Sequence, residues 1–352
     1  MIHTIKLTAV LLLLTVSKLA FAAVILQYHH VSNDTPESTS ISPLQFEAHM
    51  QYLADNDFTV VSLSELMNTI MKQQPLKDKM VAITFDDAYL DILTQGKPIL
   101  DKFNYPFTIF INPNIVERNP NGYLSWQQLK DMADDGVIIA NHGLEHDSLA
   151  RIVHNSTDKN WRDKLTDDLL SSEKIIEEKT GQSWRYFAYP YGEFTPEIQS
   201  WLMENNFIAF SQQSGAVSLA TDLTNVPRFP ASKPYDKIAS LRDKLYSLPF
   251  MLSLDSQNAQ TIYPQNTLKS VSFNIVIDDF HKSQLNCYVS GLGKQKVEWQ
   301  SDKSFTINFS QPLSTGRIRC NCTAPSISQP GRYYWYSKPW FILTEDSQWY
   351  PL

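Results

Sequence analysis

The stretch Met80-Val81-Ala82-Ile83-Thr84-Phe85-Asp86-Asp87 decides how this 352-residue chain is interpreted. Its apolar run has the length and composition of a buried strand, and it ends in two adjacent carboxylates. In α/β folds, the carboxyl ends of such strands are the places where catalytic sites are assembled. The stretch therefore predicts an active site that contains Asp86 and Asp87.

A second apolar run, residues 137–140, is followed by Asn141-His142-Gly143-Leu144-Glu145-His146. Two imidazoles four residues apart can share one cation, and a carboxylate from the earlier strand end would make a set of three ligands. Such a set leaves a coordination position open for water, which is typical of catalytic zinc. The alternative is a pair of ordinary histidines and an aspartate that caps a helix.

A third motif, Arg185-Tyr186-Phe187-Ala188-Tyr189-Pro190-Tyr191-Gly192, has the pattern of a strand that ends in a turn. The three motifs, in this order, resemble those of the polysaccharide deacetylases, carbohydrate esterase family four. The resemblance covers roughly residues 24–240. It implies an α/β fold, a distorted (β/α) barrel of about seven strands, and a hydrolase that removes N-acetyl groups from a polysaccharide.

The resemblance also implies a role for each motif residue. A divalent metal, with zinc as the expected ion, is held by Asp87, His142 and His146. Asp86 is the general base, and Arg185 pairs with it. The backbone N–H of Tyr191 stabilises the oxyanion together with the metal. Candidates for contacts with the sugar are Trp126, Tyr189 and Arg228. Trp126 could instead serve packing, and Arg228 could orient the site through a carboxylate or form a surface ion pair.

The acid that protonates the leaving amine is expected near the start of the chain. After Arg228 the only histidine is His281, which lies beyond the expected end of the barrel. The apolar run 24–28 is followed by His29 and His30, and this opening resembles the circularly permuted branch of the family. That branch includes the biofilm poly-β-1,6-N-acetylglucosamine deacetylases. His29 is the candidate acid, and His30 is a competitor for the role.

The chain is predicted to consist of four segments. Residues 1–22 have the Leu-rich core and the Ala-x-Ala end of a signal peptide, which predicts an exported protein, periplasmic or extracellular. Residues 23–240 form the deacetylase domain, residues 241–264 a linker, and residues 265–352 a small β-sandwich-like domain with short alternating strands.

The net charge of the chain argues against nucleic acid as a partner. Removal of residues 1–22, which contain Lys6, Lys18 and no acidic residue, changes the formal charge from −7 to −9. An acidic chain without a basic run argues against nucleic acid. The expected partner is an N-acetylglucosamine polysaccharide.

All three cysteines lie in the C-terminal segment. In an exported protein they predict one disulfide, Cys287 with either Cys320 or Cys322, and one thiol left over. The aromatic stretch 331–341 lies nearby, and three interpretations remain open for it. It could bind carbohydrate, it could be core, or it could dock onto a polysaccharide export machine.

Two functions remain compatible with the sequence. The first is a metal-dependent deacetylase of an N-acetylglucosamine polymer, and the permuted opening favours poly-β-1,6-N-acetylglucosamine over chitin or peptidoglycan. The second is a non-catalytic carbohydrate-binding or assembly protein that keeps the fold. The presence of all three metal ligands and the base counts against the second. Linkage, chain length, native metal and oligomeric state are not determined by the sequence.

Overall fold

The computed structural model describes residues 22–155, 160–254 and 259–351. The predicted signal peptide lies outside these residues, apart from Ala22. Among the helices that are described, none combines the length and the apolar character needed to span a bilayer.

The N-terminal part of the described chain alternates strands with helices. The strands are β1 (Ala23–Tyr28), β2 (His30–Val31), β3 (Ser40–Ile41), β4 (Thr59–Val60), β5 (Met80–Asp86), β6 (Phe107–Ile111), β7 (Ile138–Asn141), β8 (Tyr186–Ala188), β9 (Ile208–Phe210) and β10 (Phe229–Pro230). The helices are α1 (Pro43–Asp55), α2 (Leu63–Met71), α3 (Lys97–Phe103), α4 (Pro113–Arg118), α5 (Trp126–Asp134), α6 (Leu149–Asn155), α7 (Trp161–Thr180), α8 (Pro196–Glu204) and α9 (Ile238–Leu245).

Seven strands form one parallel sheet in the order β10-β1-β5-β6-β7-β8-β9, and β4 pairs with β5 beside this path. The sheet is a half-barrel, so the predicted distorted (β/α) barrel is confirmed. The register aligns Tyr28 with Phe85 and Phe85 with Ile109. The residues that follow these strands therefore meet at one edge of the sheet, as the strand-end motifs predict.

The sheet is buried on both faces, which explains why its strands are almost continuously apolar. Successive residues of β1 point to opposite faces. Val24 and Leu26 belong to one hydrophobic cluster, and Ala23 and Ile25 belong to another. Gln27 follows Ile25 on the same face and is 2% exposed. A buried amide at this position needs a hydrogen-bonding partner.

Local sequence accounts for the helix starts near the site. The hydroxyl of Ser42 accepts a hydrogen bond from the Gln45 N–H, and a proline begins α1. Ser125 and Gln128 form a capping box at the start of α5. Both helix starts agree with the sequence pattern.

The C-terminal part consists mainly of strands. They are β11 (Ser247–Pro249), β12 (Leu252–Leu254), β13 (Ile262–Tyr263), β14 (Ser270–Ile275), β15 (Asn286–Val289), β16 (Gly293–Gln295), β17 (Val297–Ser301), β18 (Ser304–Asn308), β19 (Gly316–Pro325) and β20 (Tyr333–Ile342). One sheet has the order β11-β20-β19-β15-β16 with β13 beside β20, and the other has the order β12-β14-β18-β17.

The segment predicted as a linker, residues 241–264, is not a simple connector. It contains most of α9 and three short strands, β11, β12 and β13, each of which pairs with a strand of the C-terminal sheets. The sequence missed them because strands of two or three residues are too short for an alternating pattern to appear.

The barrel and the C-terminal sheets share one hydrophobic cluster. The ring of Phe229 in β10 lies 5.3 Å from that of Trp335 in β20, measured between centroids. The hydroxyl of Thr261 donates a 2.6 Å hydrogen bond to the Phe194 carbonyl. The C-terminal sheets therefore pack directly against the barrel.

The aromatic stretch 331–341 contributes mostly to the core. Trp340 and Phe341 are fully buried and Tyr334 is 3% exposed, whereas Tyr333 is 49% exposed. Of the three interpretations, packing is the one that the burial supports. The disulfide joins Cys287 to Cys322 across β15 and β19, and Cys320 is a buried free thiol.

Candidate active site

Asp87, His142 and His146 lie together at the carboxyl edge of the sheet. Their ligand atoms are all within 4.8 Å of one another. The Nε2 atoms of both histidines are 3.3 Å from Asp87 Oδ1. The sequence predicted these three residues as metal ligands, and the fold brings them together.

The backbone around the three residues is held in unusual conformations. Asp87 and His146 have φ angles of 77° and 63°, in the left-handed region that L-residues rarely occupy. The Asn112 side-chain amide donates to the carbonyls of His142 and Gly143 at 2.6 and 3.0 Å. Such conformations persist only where surrounding contacts enforce them, and they cluster at functional sites.

The donor atoms suit a divalent metal. His142 Nδ1 is 2.8 Å from the Ala188 carbonyl, which can only accept, so Nδ1 carries the proton and Nε2 keeps its lone pair. Asp87 Oδ1 and His142 Nε2 are buried and have no well-formed hydrogen bond within the described residues. Burial alone would raise the pKa of Asp87, but the nearby imidazoles hold that pKa below its usual range. The three side chains therefore fit a metal ion.

Asp86 is fully buried behind these ligands and is paired with Arg228. The guanidinium donates to Oδ1 at 2.7 Å and to Oδ2 at 2.9 Å, and Gln27 Nε2 donates to Oδ2 at 2.7 Å. Burial by itself would raise the pKa of Asp86, but the charge of Arg228 outweighs it and the pKa is lowered. Asp86 is therefore an ionised carboxylate.

His29 and His30 have different surroundings. His29 lines the cleft that contains Asp87, and its Nε2 is 3.9 Å from Asp86 Oδ2. Burial lowers the pKa of His29, and the neighbouring carboxylates oppose that shift. His30 instead pairs with Asp91 at 2.6 Å and stacks on Tyr89. The structure therefore favours His29 over His30 as the group that can reach a substrate.

The predicted pairing of Arg185 with Asp86 is wrong. Arg185 is exposed, and its guanidinium donates to the Asn205 carbonyl and lies over the Phe207 ring. The reason is its position immediately before β8, whereas the site lies at the opposite, carboxyl ends of the strands. Arg228, rather than Arg185, pairs with Asp86. The structure therefore agrees with the prediction that Arg228 orients the site through a carboxylate, and not with the prediction that it contacts the sugar.

The two other residues that were predicted to contact the sugar, Tyr189 and Trp126, do not line the cleft. Tyr189 is fully buried, and its hydroxyl donates to the Thr224 carbonyl at 2.8 Å. Trp126 is half-buried and donates to Glu117 at 2.7 Å, and it does not line the cleft that contains Asp87. Both residues serve packing: Tyr189 belongs to a hydrophobic cluster with Phe187 and Phe194, and Trp126 packs against the main hydrophobic cluster.

Tyr191 lies at the predicted position beside the ligands. Its ring is edge-on to His146, with centroids 4.6 Å apart, and its φ of 57° is left-handed. The Tyr191 carbonyl accepts a hydrogen bond from Arg317 of β19. Arg317, Arg319 and Tyr350 line the same cleft, whose volume is about 680 Å³. The C-terminal part thus forms one wall of the site.

Sequence reasoning missed Gln27 and the two arginines. A signal for Gln27 was present: it is a polar residue in an apolar strand, two positions before His29 and so on the same face. Arg317 and Arg319 also alternate along a strand. Nothing local shows that this face of β19 turns toward the barrel.

Comparison with known proteins agrees with this geometry. Residues 73–207 match the family model described as polysaccharide deacetylase. A poly-beta-1,6-N-acetyl-D-glucosamine N-deacetylase of Staphylococcus aureus is 29% identical over 176 residues, which cover 47% of this chain and 58% of that relative. Alignments with the first curated relatives span between 36% and 58% of their lengths.

Solved structures share the fold of nearly two thirds of this chain. The Streptococcus pyogenes deacetylase PplD in complex with acetate has a TM-score of 0.57 and 21% identity, and the match covers 64% of this chain and 99% of PplD. IcaB from Ammonifex degensii has a TM-score of 0.54 and 25% identity over 63% of this chain and 97% of IcaB. Residues 73–207 of this chain therefore correspond to a polysaccharide deacetylase domain, and the members of that family are hydrolases that act on amide bonds.

Proposed function

We propose that this chain hydrolyses N-acetyl groups from an N-acetylglucosamine polymer, with poly-β-1,6-N-acetylglucosamine as the preferred substrate and zinc as the metal. The observation that carries the proposal is a cleft lined by His29, Asp87 and His146, with His142 and Asp86 buried directly behind it. The name of the Staphylococcus aureus relative supports the choice of polymer.

Each residue has a task that its surroundings allow. A metal held by Asp87, His142 and His146 would supply Lewis-acid chemistry and lower the pKa of water. Asp86, kept ionised by Arg228, takes a proton from the attacking water. His29 protonates the amine as the amide C–N bond breaks, so that water and the acetamide become acetate and an amino sugar. The Tyr191 N–H is assigned to the oxyanion.

Acetate release tests the proposal. The purified protein, freed of metal with a chelator and then reconstituted with zinc, is incubated with β-1,6-linked N-acetylglucosamine oligomers and with chitin oligomers. We expect zinc-dependent release, faster from the β-1,6 oligomers. Faster release from the chitin oligomers would show that the preferred polymer has the linkage of chitin. Binding of the oligomers without release from either would favour a non-catalytic carbohydrate-binding protein.

Replacement of His29 by alanine is expected to lower kcat by about 10²- to 10⁴-fold, the usual contribution of a positioned acid or base. The matched variant is His30→Ala, which loses the pairing with Asp91 and is expected to keep most of the activity. Steady-state acetate release on the β-1,6 oligomers measures both. Full activity of His29→Ala, or an inactive His30→Ala in a folded protein, would transfer the role of acid to His30.

We further propose that residues 1–22 direct export to the periplasm or beyond, that residues 23–240 are the catalytic domain, and that residues 265–352 are an accessory domain. We also propose that this accessory domain docks onto polysaccharide export machinery.

Amino-terminal sequencing and fractionation of cells that express the full chain test whether residues 1–22 direct export. A mature protein that begins elsewhere than Ala23, or remains in the cytoplasm, would refute it.

A further inference from the structure

The cleft wall contributed by β19 carries two positive charges. Arg317 and Arg319 are two residues apart, so their side chains leave the strand on the same face, and both line the cleft with Asp87 and His146. Arg317 donates to the Tyr191 carbonyl and to Gln212 Oε1, the latter at 3.1 Å. Because Tyr191 contacts His146, this positive charge begins directly beside the candidate active site.

Several other charged groups around the cleft are compensated. Glu193 is paired with Arg151 at 2.8 Å. Lys233 is paired with Glu37, also at 2.8 Å. Asp86, just behind the cleft, is balanced by the guanidinium of Arg228.

The two arginines of β19 differ from these groups. Neither guanidinium has a carboxylate within ion-pair distance among the residues that the structure describes. The cleft of this acidic chain, with its formal charge of −7, therefore contains two positive charges that form no direct ion pair within the described residues.

The cleft is larger than the reacting group. Its volume of about 680 Å³ lies in the range of sites that hold ligands of drug size, far above what one acetamide needs. Arg317 and Arg319 line the same cleft as Asp87 and His146. A polymer that extends from the reacting sugar along this wall would therefore bring a neighbouring sugar against the two arginines.

We propose that Arg317 and Arg319 form a subsite that selects against a neighbouring sugar that has already lost its acetyl group. This inference rests on the proposed deacetylase function. The product of each turnover is a primary amine, which is protonated near neutral pH. An ammonium group close to two guanidinium groups is repelled, whereas a neutral acetamide is not. The protein therefore deacetylates at spaced positions and leaves the polymer partly acetylated.

The test compares two β-1,6-linked oligomers of equal length with the zinc-loaded full protein. One is fully acetylated, and the other contains one glucosamine next to the reacting sugar, prepared with the glucosamine on either side. We expect kcat/KM to be about tenfold lower for the glucosamine-containing oligomer at low salt, because the two guanidinium groups repel the ammonium group. Raising the salt concentration should narrow this difference, because dissolved ions screen charges that are only partly buried.

Arg319 is the better position for variants, because Arg317 donates to the Tyr191 carbonyl and no hydrogen bond between Arg319 and Tyr191 is found among the described residues. Substitutions that remove, invert or keep the charge of Arg319 separate charge from shape. We expect Arg319→Gln to reduce the discrimination about threefold and Arg319→Glu to abolish it, while Arg319→Lys retains it. The matched control is Lys294→Gln, which removes the same charge from an exposed position in β16 outside the cleft. It should leave the discrimination unchanged.

Two outcomes would overturn the subsite while leaving the deacetylase function intact. The first is an equal rate of the unaltered protein on the two oligomers. The second is a loss of activity on both oligomers in Arg319→Gln and in Arg319→Lys alike. Absence of acetate release from the fully acetylated oligomer would count against the proposed function instead. In that case, calorimetric affinities of the unaltered protein and Arg319→Gln for the two oligomers decide whether the subsite discriminates.

Discussion

Replacement of His142 by alanine is expected to abolish deacetylation, with acetate release reduced by at least about a thousandfold. A catalytic metal contributes several kcal/mol to transition-state stabilisation, and about 4 kcal/mol corresponds to a factor of a thousand in rate. His142 is 1% exposed, and its Nδ1 is held by the Ala188 carbonyl, so its Nε2 is oriented toward the other two ligands. Metal analysis should show that zinc binding is lost together with activity.

His154→Ala is the matched control for His142→Ala. His154 is an exposed histidine at the end of α6, where its ring contacts Trp349, and it is not part of the ligand set. We expect zinc stoichiometry and acetate release to remain at the level of the unaltered protein. Circular dichroism on both variants excludes unfolding as the cause. A His142→Ala protein that binds one zinc ion and remains active would contradict the proposed metal site.

Replacement of Arg228 by methionine is expected to destabilise the protein by about 3–5 kcal/mol and to eliminate most of its activity. Arg228 and Asp86 are both fully buried, and the guanidinium makes two hydrogen bonds to the carboxylate. Removal of the cation leaves a buried negative charge without compensation, which costs more than the ion pair itself contributes. Denaturant unfolding measures the loss in stability, and acetate release measures the loss in activity.

Two further variants identify the cause of this effect. Arg185→Met removes the arginine that the sequence motif associates with Asp86, and because that side chain is exposed we expect a change within about 0.5 kcal/mol. The double variant Arg228→Met with Asp86→Leu removes both buried charges, so it should regain much of the stability while staying inactive. A large loss in Arg185→Met, or no recovery in the double variant, would contradict the assignment of Arg228.

The barrel and most of the metal site could be predicted from the amino-acid sequence. The apolar strands are visible because a sheet covered on both faces must be apolar along its whole length. Asp87, His142 and His146 could be predicted because each follows such a strand closely, and parallel strands align their carboxyl ends at one edge. The same argument placed His29 after β1. These predictions need only the strands and their direction.

The groups that complete the site depend on tertiary packing. Arg228 reaches Asp86 from 142 positions further along the chain, and the bond depends on the pairing of β10 with β1. Arg317 reaches Tyr191 because the C-terminal sheets pack on the barrel. A short motif is local, whereas the partner of a buried charge is set by whichever strand lies next to it in space, and no periodicity in the sequence records that neighbour.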